Sequence, residues 1–108
     1  MTDPQKVFLS HNSKDKPWAR ALAEALAKEL DADSFLDEHS IQVGERWDRQ
    51  IQEAIERCPV ALVLLGSNGW GPVHRVEAMM ALERARRDAT FRFVPVLLPG
   101  VDVEAQKI

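Results

Sequence analysis

The run Pro59-Val60-Ala61-Leu62-Val63-Leu64-Leu65 decides the fold. It shows no alternation of apolar and polar positions, so neither face of an extended chain here can meet water, and a central parallel strand covered by helices on both sides satisfies it. Upstream, Trp47, Ile51, Ala54, Ile55 and Cys58 recur at helical spacing and predict one buried stripe. Before them, residues 37–45 are mostly polar and contain Gly44, which reads as a loop, and Ser34-Phe35-Leu36 reads as a short strand. Trp18, Leu22, Ala25, Leu26 and Leu30 predict another helix, with Arg20, Glu24 and Lys28 on its wet side and a cap at Ser13 or Asp15. Val7-Phe8-Leu9 is the strand before it.

Downstream, Gly66 to Gly71 reads as a loop, and Pro72 suits the first turn of a helix, where its missing N–H costs no hydrogen bond. Val76, Met79, Met80 and Leu82 spread over a wide arc of that third helix, so its packing face is poorly defined by hydropathy. Residues 91–98 form a fourth strand, and Pro95 places it at an edge or where pairing stops. Strands alternating with helices predict an α/β fold, a doubly wound parallel sheet of order 2-1-3-4. In that order strands one and three are neighbours whose connections leave on opposite faces, opening a crevice at their carboxyl ends.

Size and charge narrow the functions. The 108 residues, 45% of them hydrophobic with a net charge of −3, suit one small domain. The charge signs are mixed, and no basic stripe suggests direct nucleic-acid binding. A single cysteine, Cys58, forms no internal disulfide and is read as core, which fits a reducing compartment. The polar N-terminus lacks the apolar centre of a signal peptide, and Val60 to Leu65 is too short to cross a bilayer. The expectation is a soluble, cytoplasmic protein with no membrane partner.

The crevice is framed by the loops Ser10 to Asp15 and Gly66 to Pro72. Glu77 is the carboxylate in the first turns after the second loop, and its position also has a bland reading as a partner of the helix dipole. Trp70 and two glycines precede it, and Val73, Val76 and Met80 are expected to supply apolar wall. Asp37, Glu38 and His39 lack a second histidine or cysteine at ligand spacing, so a solvated loop is expected there and no metal site. Arg84, Arg86 and Arg87 are read as a helix end favoured by the dipole. Trp18 is expected in the core, whereas core and site readings stay open for Trp47.

Four segments carry a family resemblance. Val7 to Asp15 (VFLSHNSKD), Phe35-Leu36-Asp37 followed by Val43-Gly44-Glu45-Arg46-Trp47, Gly71 to Glu77 (GPVHRVE) and Phe93 to Leu98 (FVPVLL) resemble, in order, segments of bacterial Toll/interleukin-receptor (TIR) domains. The second pair is similar to the family's second strand and BB loop, and the third to the segment carrying its catalytic glutamate. The resemblance implies a flavodoxin-like sheet and, in many bacterial members, cleavage of NAD to nicotinamide and ADP-ribose or a cyclic form; other members are adaptors that only assemble. It also implies a single domain over residues 1–108 truncated at its C-terminal end, since the family's usual fifth strand and last helix have no counterpart after Pro99-Gly100.

Carried onto this sequence, the resemblance makes Glu77 the catalytic residue. Ser10, His11 and Ser13 would line the crevice beside it, with Trp47 as an aromatic wall. Many relatives have tryptophan four residues before the glutamate; here that position is Val73, and the nearest tryptophan is Trp70, a candidate substrate-binding residue. His11 equally suits a loop-capping role. Ser10 and His11 are neighbours on a strand end, so their side chains diverge and a Ser–His nucleophilic pair is not expected. The implied activity is that of an NAD glycohydrolase or cyclase with NAD as substrate and no cofactor, a cell-suicide effector of antiphage defence switched on by TIR–TIR assembly, with a fused or separate sensor domain. The alternative is a TIR interaction module without turnover. A phosphate-accepting receiver domain would need paired acidic residues after strand one, which the sequence lacks.

Overall fold

The computed structural model describes residues 5–36 and 47–102. Four strands, β1 (Gln5–Ser10), β2 (Ala32–Leu36), β3 (Val60–Leu65) and β4 (Arg92–Leu97), form one sheet of order β2-β1-β3-β4. All pairings are parallel, with Val7 opposite both Ser34 and Val60, and Val60 opposite Arg92. The expected order is the observed one. The expected loop of residues 37–45, with Asp37, Glu38 and His39, lies outside the described residues.

Strand parity divides the core. Val7, Leu9 and Leu64 pack on one face with Ala19 of helix α1 (Lys16–Leu30). Phe8 and Ala61 pack on the other with Ile51, Ala54, Ile55 and Cys58 of α2 (Trp47–Arg57) and Ala81 of α3 (Pro72–Arg87). Ser10 lies two residues beyond Phe8 and so belongs to the α2 and α3 side. This parity aims the end of β1 at α3.

Helix α2 buries the stripe expected of it from Ile51 to Cys58, and burial raises the Cys58 thiol pKa. Trp47 is its first residue, with its side chain outside the described set. Helix α1 departs from expectation. Trp18 is 50% exposed and Leu30 70% exposed, and Ala25 is also on the surface. The face on the sheet is Ala19, Leu22, Ala23 and Leu26, because alanines let the helix approach closely while the indole lies about 100° away around the axis. Asp15 is the N-cap residue of α1, one of the two expected positions, but its side chain makes no cap bond to the helix; a short 3-10 turn (Ser13–Asp15) precedes α1, and there Asn12 Oδ1 accepts from the Lys14 N–H.

Pro72 begins α3, as expected, but the helix buries His74, Glu77, Ala78 and Ala81. Met79 is exposed, and Val76, Met79 and Met80 instead line a groove of about 440 Å³ against α2. Val73, 38% exposed, forms no buried wall. Arg84 does more than complement a dipole: it donates to the carbonyls of Ile55 and Cys58 and lies 4.3 Å over the Phe91 ring, stapling α3 to the end of α2. Arg87 bonds Glu56. Among the described residues β4 is an edge strand, with Pro95 opposite Val63, and Val94 and Leu97 stay exposed.

Candidate functional site

The carboxyl ends of β1 and β3 hold a dense set of buried polar side chains: Ser10, His11, Asn12, Asp15, His74 and Glu77, all 8% exposed or less. Buried polar groups demand partners, and the partners here cross between elements. The Ser10 hydroxyl donates to Glu77 Oε1 at 2.9 Å and lies 3.3 Å from the His74 carbonyl oxygen. The carboxylate is thus fixed from the strand side, on the second turn of α3.

The two loops are tied together beside it. Asn12 Nδ2 donates to the carbonyls of Asn68 and Gly69, at 3.2 and 3.0 Å. Asn68 Nδ2 returns a bond of 2.7 Å to Asp15 Oδ1. Two glycines permit this clasp. Gly69 has φ 71°, in the left-handed region; a Cβ on Gly66 would come within 3.3 Å of Asp15 Oδ2 and 3.1 Å of Leu98.

The two buried histidines have different assignments. His11 Nδ1 is 2.8 Å from the Asn12 carbonyl oxygen, so that nitrogen carries hydrogen. His74 Nδ1 accepts from the Gly71 N–H at 3.4 Å, which leaves the hydrogen of the neutral ring on Nε2. His74 sits at the third helical position and bonds back to the cap residue, as glutamate or glutamine does in a capping box; Gly71 has no side chain to reciprocate. Burial lowers the His74 pKa to about 4, aided by repulsion from His11. The Leu64 carbonyl and Asp15 act in the opposite direction, although Nε2 meets no partner at hydrogen-bond geometry. The Trp70 ring lies 4.6 Å from the His74 ring, tilted 37°.

The profile of the TIR domain family matches residues 7–107. The chain belongs to the TIR family. No curated protein matches it.

Within this TIR domain, Ser10 and Glu77 come together, and His11 and Trp70 join them through His74. Ser13 stands in the 3-10 turn with its side chain exposed. The Trp47 side chain lies outside the described residues. Sequence reasoning missed His74, Asn12, Asp15 and Asn68. For His74 a signal exists: it lies three residues before Glu77, hence on the same helical face. Among the described residues no helix is long and apolar enough to cross a membrane.

Proposed function

We propose that this TIR domain cleaves NAD, with Glu77 as the catalytic carboxylate. The observation that carries the reading is Glu77 itself, an acid buried at the carboxyl end of the central strands and oriented by the Ser10 hydroxyl at 2.9 Å. A mere partner of the helix dipole needs neither burial nor a strand-borne donor. The bond from ribose C1′ to the pyridinium nitrogen is already activated: its electron pair leaves with nicotinamide, which becomes neutral and needs no proton. What remains is stabilising the positive charge that develops on the ribose, and a carboxylate does this electrostatically. Water adding to C1′ with loss of a proton gives ADP-ribose; attack by an adenine nitrogen gives a cyclic product.

In this reading Ser10, His11 and Ser13 line the ribose side, and Trp70 and Trp47 supply aromatic walls. The protein acts as an antiphage, cell-suicide effector in the cytoplasm, under a sensor domain and through TIR self-association. Glu77 is 2% exposed, so the crevice must open for substrate, and assembly is a suitable trigger. The same burial favours a second reading, an adaptor whose Glu77 only holds α3 on β1. Nicotinamide release from NAD by concentrated protein, beside Glu77→Ala, separates the two. Release lost in the variant supports the enzyme; no release, even from assembled protein, leaves the adaptor.

A further inference from the structure

Trp70 stands between Gly69 and Gly71, and glycine neighbours give an indole no fixed orientation of their own. His74 supplies one. Its ring packs against the indole at 4.6 Å, its Nδ1 holds the Gly71 N–H, and its carbonyl oxygen faces the same Ser10 hydroxyl that bonds Glu77. One residue therefore touches the aromatic loop, the helix start and the donor to the carboxylate. Val73, four residues before Glu77, is a partly exposed aliphatic side chain and offers no flat surface.

We propose that His74 is a positioning residue that holds the Trp70 indole beside Glu77 as the stacking wall for a planar heterocycle of the ligand; this rests on the NAD reading above. The role needs an uncharged imidazole, because a proton on Nδ1 would abolish its acceptance of the Gly71 N–H. Burial beside His11 keeps the ring neutral, with Asp15 and the Leu64 carbonyl opposing.

Two substitutions separate the ring from its nitrogen. His74→Gln keeps an acceptor at the capping position but removes the flat ring; His74→Phe keeps the ring and removes the acceptor. Two readouts follow. In a Trp18→Phe/Trp47→Phe background Trp70 is the single indole, and its quenching by acrylamide reports its freedom without any ligand. We expect quenching to rise about twofold with His74→Gln and to stay unchanged with His74→Phe. In the otherwise unaltered protein, KM for NAD should rise about tenfold with His74→Gln, the size of one aromatic contact, with kcat moving less than twofold. His74→Phe should lower Tm and leave KM nearly as it was. Trp70→Ala should raise KM similarly, and adding His74→Gln to it should change KM no further.

Unchanged quenching in His74→Gln overturns the positioning role, as does a KM effect that adds in full to that of Trp70→Ala. A fall in kcat as large as the rise in KM also overturns it, because that marks damage at Glu77. If the unsubstituted protein neither binds nor cleaves NAD, the enzyme reading fails, and quenching alone then decides whether His74 orients the indole.

Discussion

Ser10 and Glu77, 67 residues apart in sequence, share a buried hydrogen bond of 2.9 Å that joins the last residue of β1 to the second turn of α3. The bond exists because Ser10 continues the parity of Phe8, so a hydroxyl falls on the face where α3 lies. The same pair that orients the candidate acid also fastens a helix to the sheet.

Ser10→Ala therefore has two expected consequences. A hydrogen bond to a charged acceptor contributes about 1.5–3 kcal/mol, and its loss leaves the carboxylate short of a donor. Stability in urea should fall by about 2 kcal/mol, and any nicotinamide release should fall about tenfold or more. A double-mutant cycle with Glu77→Ala, which removes the acceptor, should show coupling above about 0.5 kcal/mol. Additive losses in that cycle would mean that the bond carries no energy.

Acid should destabilise the protein through His74. Its folded pKa of about 4 lies below the ordinary 6.5, so the unfolded chain binds this proton first and stability drops as pH falls from about 6.5 to 4. The shift corresponds to a loss of about 3 kcal/mol over that window. Below about 4 both states are protonated and the loss is complete. Urea titrations across this range should show a shallower pH slope for His74→Gln than for the unsubstituted protein. Parallel slopes would assign the acid sensitivity to other groups.

The clasp between the loops predicts an order of severity. Asn68→Ala removes the amide from Asp15 Oδ1, and Asp15 is 3% exposed. A buried carboxylate stripped of its donor costs about 2–3 kcal/mol. Asn68→Asp should cost more at neutral pH, since two carboxylates would then face each other. Thermal unfolding of the two variants checks the order; an Asn68→Asp protein as stable as the alanine variant would contradict it.

How far the sequence discloses this molecule depends on whether hydropathy or shape decides each element. Residues 60–65 lie between two helical layers, and their unbroken apolar run says so. Helix α2 is legible because its large apolar residues are also its buried ones. The crevice follows from strand order alone. Helix α3 is opaque, because its buried face carries His74 and Glu77 where hydropathy expects apolar side chains. The Asn12, Asn68 and Asp15 clasp is hidden for another reason: amides pair across space, and no period in the chain announces which loops will meet.

Arg84 offers a test of helix docking independent of the site. Its guanidinium serves two carbonyls at the end of α2 and covers Phe91. Arg84→Ala should cost about 2–4 kcal/mol, from two lost charge-assisted bonds, a Cys58 carbonyl stripped of the guanidinium (the Ile55 carbonyl keeps the Cys58 N–H) and a lost cation–π contact. Arg84→Lys should recover less than half, because one ammonium does not reproduce a planar fork bonded and stacked at once. Chemical denaturation of the pair checks this, and full rescue by lysine would reduce the role of Arg84 to its charge.

The phase of α1 is open to the same kind of measurement. Large apolar residues suggest a face through Trp18 and Leu30, whereas the packed face runs through Ala19 and Ala23. At Ala19, which is 0% exposed, extra methylenes have nowhere to go, and Ala19→Leu should cost about 1–3 kcal/mol from overpacking. Trp18→Gln sits half in water and should change stability by less than about 0.5 kcal/mol. Urea unfolding of the two variants compares them directly. A Trp18→Gln loss larger than that of Ala19→Leu would place the indole against the sheet and require the helix to be turned by about 100°. The smaller loss leaves the tryptophan on the surface, half in water, with the alanine face against the sheet.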